Sequence, residues 1–347
     1  DELPAVLGLR PYSRVFAVGD GHRFLGLDPD NAVVVEQLPP PLAAMLDELA
    51  APTARNELVE RAVARGATGP DALALLSQLH GCGALVDAAG ERLRGRRRAE
   101  AAVLVRGDGP LAVGVAGGLA GGGVGTVHLR TTGTVGTADL GTGLRDADRG
   151  RPRAEAAAEA VRALAPGVVT GRPPSRFVPD LVVLTDALLP EPALLGALQA
   201  AGAAHLPVRL RDGAGVVGPL VLPGRTACLR CLELHRGALE PTWPAVAAQL
   251  VGRAGRADRA CAQATAALGA AQALAALDGL AGEGTPPLLD ATLEVDPRAG
   301  TLLRRPWPAH PDCGCGAAGQ PPEPRPDGGG RAVGRPTLGQ RSHLGGT

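Results

Sequence analysis

Lysine and isoleucine do not occur anywhere in the 347 residues. Their absence, beside 50 glycines and 32 prolines, marks a GC-rich coding bias, and it removes the weight of any single arginine or glycine. Net charge is lacking as well. The 35 arginines balance 35 acids, so no global field recruits nucleic acid or an anionic membrane. No apolar run approaches the ~20 residues of a membrane span, and the first residues lack the basic, apolar and small-residue pattern of an export signal. The expectation is a cytoplasmic protein with reduced thiols and with no membrane or nucleic-acid partner. A chain of this length can bury a large core and predicts two domains plus tails.

What is present most distinctively is sulfur in pairs. An apolar strand beginning at Gly215 turns through Pro223-Gly224 and leads into Cys228-Leu-Arg-Cys231, and Cys313-Gly-Cys315 follows far downstream. Two short thiol pairs from distant segments are the pattern of a four-thiolate zinc site, because a tetrahedral ion needs paired ligands from two parts of the chain. A disulfide or two unrelated buried pairs are the alternatives. Four thiolates close the coordination sphere, so Zn2+ bound by Cys228, Cys231, Cys313 and Cys315 is expected to be structural. Cys82 and Cys261 stand alone and are expected to be small buried hydrophobes.

Residues 1–88 read as a small α+β unit. Strands are expected at Arg14–Val18, Arg23–Leu27 and Ala32–Val35, separated by Gly and Asp-Pro-Asp-Asn turns. Three helices follow: one after Pro39–Pro41, one capped by Thr53, and one opening at Pro70-Asp71 with Leu73, Leu76 and Leu79. A strand over Ala84–Val86 completes a winged-helix-like order. Twelve acids face six arginines in this segment, a balance that opposes the phosphate neutralisation DNA binding requires. Peptide binding fits better, by strand addition beside Val33, Val34 and Val35 with side chains reaching Leu73 and Leu76 on the third helix. The alternative is a small domain that merely packs on its neighbour. Glu91–Glu100, with five arginines, reads as a solvated linker.

Beyond the linker, strands and helices alternate: a strand over Ala101–Val105, a glycine-rich helix, a strand over Val124–Leu129, a helix over Ala154–Leu164, and a strand over Leu181–Leu184 ending in Thr185-Asp186. A helix over Pro192–Ala201, a strand over Leu206–Leu210, helices over Trp243–Val251 and Cys261–Leu280, and a hairpin around Pro297–Gly300 complete it. That alternation predicts a mainly parallel sheet covered on both faces. Gly107-Asp-Gly109-Pro-Leu-Ala112 matches a dinucleotide loop in placement. In spelling it is weak, since 50 glycines yield about seven such Gly-x-Gly triplets by chance. The end of the second strand should present an acid to a ribose, but His128 and Arg130 stand there. Asp108 would set a carboxylate beside the phosphates. Both departures predict weak or lost nucleotide binding. Asp186 lies where crevices open in such sheets, or else caps the next turn.

Together these residues resemble a known family. The Gly107–Ala112 loop, Gly150-Arg-Pro-Arg153, Thr185-Asp186 and the two cysteine pairs are similar to the ThiF/MoeB fold of ubiquitin-activating-type adenylyltransferases. The wording from Gly213 to Arg236 resembles actinobacterial cyclodehydratase-associated proteins of azole-modified (TOMM) peptide biosynthesis. The resemblance implies a Rossmann-like, mainly parallel sheet of ThiF type with structural zinc over residues 101–316. It also implies a winged-helix-like recognition domain over 1–90 that grips a precursor leader, a linker over 91–100, and a disordered tail over 317–347. The family's nucleotide and magnesium contacts fall on Gly107, Gly109, Arg153 and Asp186, with Arg130 where its ribose acid belongs and arginine at 153 where lysine is usual. The implied function is a leader-binding scaffold without its own adenylation, so use of ATP and Mg2+ is doubtful. Its expected partners are a separate cyclodehydratase and a second copy of itself. Active adenylation of a small carrier protein's C-terminus is the alternative. A nicotinamide oxidoreductase would lack both the ribose acid and a proton donor.

Overall fold

A computed structural model describes residues 3–19 and 21–319, and the chain divides into two units that part between Ala99 and Glu100. In the first unit β1 (Val6–Leu9), β2 (Val15–Ala17), β3 (Arg23–Leu25) and β4 (Val33–Val35) precede α1 (Pro40–Asp47). Then come β5 (Thr53–Ala54), α2 (Arg55–Ala64), α3 (Gly69–Gly81), β6 (Leu85–Asp87) and α4 (Ala88–Glu100). The strands form two separate sheets, β5-β1-β6 and β2-β3-β4. Leu7, Leu25, Met45, Leu46, Leu58 and Leu76 fill the core. Buried Arg23 grips Asp47 through two bonds of 2.8 Å and so ties β3 to the end of α1.

Four expectations need correction here. Residues 91–100 are helical, because Arg, Ala, Leu and Glu are good helix formers and Glu91 pairs with Arg94 at 2.8 Å one turn on. Thr53 is not a cap; it pairs in β5, and its hydroxyl donates to the Ala51 carbonyl. The N-terminal Val6–Leu9 strand was not anticipated, although it joins β5 and β6. Cys82 is exposed rather than buried, sitting at the frayed end of α3.

In the second unit β7 (Ala102–Arg106), α5 (Pro110–Gly121), β8 (Thr126–Arg130), α6 (Arg153–Leu164), β9 (Val169–Gly171), β10 (Leu181–Thr185) and α7 (Pro192–Ala200) come first. They are followed by β11 (His205–Arg211), β12 (Ala214–Val217), α8 (Leu229–Leu239), α9 (Trp243–Leu250), α10 (Arg259–Leu280), β13 (Ala291–Asp296) and β14 (Thr301–Pro306). One eight-stranded sheet runs β14-β13-β12-β11-β10-β7-β8-β9. From β9 to β11 the pairs are parallel; β12, β13 and β14 extend the sheet antiparallel. The chain leaves β7 toward β8 on one side and returns to β10 on the other, so the carboxyl ends of β7 and β10 form the switch point where such sheets bind ligands.

The crowded glycines of α5 have a packing cause. A Cβ at Gly114 or Gly118 would stand 2.7 or 2.6 Å from the methyl of Ala266 or Ala270 on α10. The two helices thus approach as closely as small residues permit. Among the described residues α10 is the one helix long and apolar enough to cross a membrane, and half of that stretch is buried, against α5 and the sheet. Most of the expected tail, 320–347, lies outside the described residues; Ala317–Gly319 forms a short 3-10 turn.

Candidate functional site

The loop after β7 has no side chain of its own to cap α5: Gly109 is the N-cap and Pro110 has no N–H to offer. The cap comes from β10. Asp186 takes a left-handed φ of 72°, a conformation that Asp and Asn tolerate better than most residues. Its carboxylate accepts N–H bonds from Gly109 at 3.1 Å and Leu111 at 3.0 Å, and a hydroxyl bond from Thr185 at 2.8 Å. It therefore fills the anion position that a helix N-terminus offers to a phosphate. Asp186 is expected to act here as a cap, but for α5 rather than for its own following turn. Burial pushes its carboxyl up to about 6, against the lowering pull of the bonds from Thr185, Leu111 and Gly109.

Both glycines are required by this approach. A Cβ at Gly109 would lie 2.6 Å from Asp186 Oδ1, and one at Gly107 would lie 2.6 Å from Asp186 Oδ2. Gly109 has an extended φ of −140° open to any residue, so Gly109→Ala tests the contact alone. The expected result is a loss of roughly 1–3 kcal/mol, read as a lower urea midpoint with unchanged slope.

Asp108 does not point at a free phosphate site. It accepts from the Thr132 N–H at 2.6 Å and from the hydroxyls of Thr131 at 3.1 Å and Thr132 at 2.9 Å. Arg153, the first residue of α6, donates to Asp139 at 2.9 Å and to the Thr132 carbonyl, and it stands 4.0 Å from Asp108. Its buried Nε has no partner among the described residues. A cleft of about 270 Å³ opens here, lined by Arg106, Gly107, Asp108, Arg130, Asp186 and Glu191 among others. Gly109 and Arg153 do not line it but bond to residues that do. The sequence reading missed Thr131, Thr132 and Asp139, which hold Asp108 and Arg153. It also missed the segment 251–255, which bonds across Ala187–Leu189 beside the cleft. Gly252 and Gly255 were the available signal for that segment.

The second cluster is sulfur. The four Sγ atoms of Cys228, Cys231, Cys313 and Cys315 all lie within 4.8 Å of one another. Cys228 is 3.8 Å from Cys231 and 3.6 Å from Cys313, and Cys231 is 3.6 Å from Cys315. A zinc–sulfur bond of about 2.3 Å places tetrahedral sulfurs about 3.8 Å apart, so the cluster fits such an ion. Cys228 caps α8 and Cys231 sits in its first turn; the Cys315 carbonyl accepts from Gln199 at 3.2 Å. This cluster could hold a metal ion.

No family model matches the sequence, and a search of curated proteins found no match. Solved structures do match. E. coli MccB with ATP superposes with a TM-score of 0.68 at 14% identity, covering 89% of this chain and 99% of that one. The microcin C7 biosynthetic enzyme MccB in complex with N-formylated MccA gives 0.67 at 14% identity, over 90% and 99% of the two chains. PaaA gives 0.58 at 14% identity, over 85% and 98%.

The fold is that of MccB. The ThiF-like architecture expected from the loop and the cysteine pairs is thereby supported. MccB has also been crystallised with AMPCPP and MccA together, so these neighbours lend no support to the expectation that nucleotide use is lost.

The remaining expected site residues lie in the first unit. Among the described residues β4 is an edge of its sheet, paired with β3 alone. Val33 and Val35 are half-buried, while Val34 is 44% exposed opposite Phe24, which is 37% exposed. Leu73 is exposed on α3, but Leu76 is fully buried in the core, so of the two leucines only Leu73 is available to a peptide.

Proposed function

We propose that this protein binds the leader of a ribosomally made precursor peptide and presents it to a separate cyclodehydratase, working in the cytoplasm, without adenylating a substrate itself. The observation that carries this reading is the free edge of β4, with Val34 and Phe24 turned to solvent on an acidic unit. A leader would add as a further strand beside Val33–Val35 and touch Leu73. Two features of the second unit support the scaffold role: Arg130 stands where a ribose acid belongs, and Asp186 occupies the loop's own N–H groups. The four cysteines would hold Zn2+ structurally, and a homodimer is part of the reading.

Isothermal titration of the full chain with synthetic leaders of azole-modified precursors tests it. Val34→Pro, which removes an outward N–H from the β4 edge, should abolish binding; saturable binding that survives this change would sink the strand-addition reading. A second reading keeps one specific observation on its side: the glycine loop and Asp186 sit at the switch point of the sheet, and MccB, with the same fold, has been crystallised with ATP. In that reading the chain adenylates a carrier C-terminus, with Arg153 or Arg151 balancing phosphate charge and Asp186 holding magnesium. Carrier-dependent exchange of pyrophosphate into ATP would favour it over the scaffold.

A further inference from the structure

The second unit holds a larger cavity than the nucleotide-type cleft, of about 530 Å³. It lies between α7, the start of α8 and the cysteine cluster, with apolar walls from Leu189, Pro192, Leu195, Leu229 and Val251. Pockets of about 300–1,000 Å³ with apolar walls and a few placed polar groups are the usual form of small-ligand sites.

Gln199, Arg230, Glu233 and His205 are polar residues of its lining, and of these His205 is the buried one. It lines the cavity yet is only 2% exposed. Its Nδ1 is 2.9 Å from the Ala203 carbonyl, which can only accept, so the ring proton sits on Nδ1 and Nε2 is a bare acceptor. Burial lowers the ring's affinity for a second proton. Nε2 has no partner among the described residues, which leaves it open to a donor from outside the chain.

Gly196 is part of the wall. It borders the cavity from within α7, where glycine costs about 1 kcal/mol relative to alanine. Nothing in the protein lies within 4 Å of where its Cβ would stand, so no internal packing calls for glycine there. Other helical glycines, Gly95 and Gly121 among them, are equally open, so Gly196 marks available space and not a requirement for glycine.

We infer that this cavity is a ligand site for a bulky apolar group carrying one N–H or O–H donor, received by His205 Nε2, with Gly196 leaving room for its entry. Indole has this chemistry, whether as a free molecule or as a peptide side chain. The site is independent of the leader-binding reading and of nucleotide use.

The test uses the full, metal-loaded chain with indole and 1-methylindole as probes, followed by equilibrium dialysis. One indole should bind per chain, and 1-methylindole, lacking the donor, should bind about 3–10-fold more weakly. Gly196→Leu should fill the cavity and abolish indole binding while keeping or raising the melting temperature. His205→Leu should make the two probes equal. Cys82→Ser, in the other unit, should leave indole binding unchanged. N-acetyltryptophanamide binding as well as indole would assign the site to a peptide side chain; indole alone would assign it to a free small molecule. Absence of saturable indole binding, equal affinity for the two probes in the unsubstituted protein, or full binding in Gly196→Leu would each overturn the inference.

Discussion

Cys231→Ser is expected to abolish zinc binding at the four-cysteine cluster and to unfold the second unit at ordinary temperatures. Cys231 is fully buried in the first turn of α8, and its sulfur joins that helix to the segment carrying Cys313 and Cys315. Without an ion the four thiols cannot ionise together. Cys231 is held down to about 4 by the hydrogen bond from Cys228, Cys228 is pushed up by that same bond, and burial pushes Cys313 up to about 11. A bound cation reverses this and stabilises all four thiolates, so the folding of the cluster and the binding of metal are one event. Structural zinc in small peptides contributes about 10–16 kcal/mol. Even a third of that, about 4 kcal/mol, is a large part of the roughly 5–15 kcal/mol that keeps a domain folded. Metal analysis of the unsubstituted chain should give one zinc, the serine variant less than half, and the melting transition of the second unit should be lost. Cys82→Ser, exposed on the first unit, should leave both unchanged. Less than about half an equivalent of zinc in the unsubstituted protein would sink the prediction.

The cysteine pairs were legible because metal ligands leave a spacing that composition cannot imitate. The sheet was legible for a different reason. Ala102–Arg106, Leu181–Thr185 and His205–Arg211 are short apolar runs bounded by glycine or proline, and parallel strands buried on both faces look that way. Val169–Gly171 was not legible: an exposed three-residue edge strand carries too little pattern. The arginine-rich stretch at 91–100 misled because charge indicates solvent exposure, and exposure does not distinguish a linker from a solvated helix. In the cleft, Gly107, Gly109 and Asp186 could be named from their positions. What sequence could not give is that Asp186 turns back onto the loop, or that Thr131 and Thr132 hold Asp108. Those contacts join residues 23 to 77 positions apart, and no local spacing records them. Leu76 shows the same limit from the other side, since helical periodicity alone does not say which leucine of a stripe faces solvent.

Asp186 should make this protein's stability fall as the pH rises from 4 to 7, and Asp186→Asn should remove that dependence. The folded state holds the Asp186 proton with an affinity near pH 6, above the ordinary carboxyl value of 3.8, because the buried site resists the charge more than its hydrogen bonds favour it. The proton is therefore bound more tightly in the folded than in the unfolded chain. Its stabilisation is fully present below pH 3.8, declines between 3.8 and 6, and is gone by pH 7. The amount lost is on the order of 3 kcal/mol. Asparagine tolerates the left-handed backbone at this position and keeps one acceptor oxygen for the loop, but it has no charge to bury. Urea unfolding of both proteins at pH 4, 5, 6 and 7 should show the unsubstituted chain losing stability relative to Asp186→Asn by about that amount. Parallel pH profiles would show that the carboxylate is not confined as described. The same balance bears on the cleft: a phosphate arriving at Gly109 and Leu111 competes with an ionised Asp186 at pH 7. In Asp186→Asn the competitor is neutral, so a triphosphate that gains affinity in the variant would be binding at the loop, while one that loses affinity would have needed the carboxylate for its magnesium.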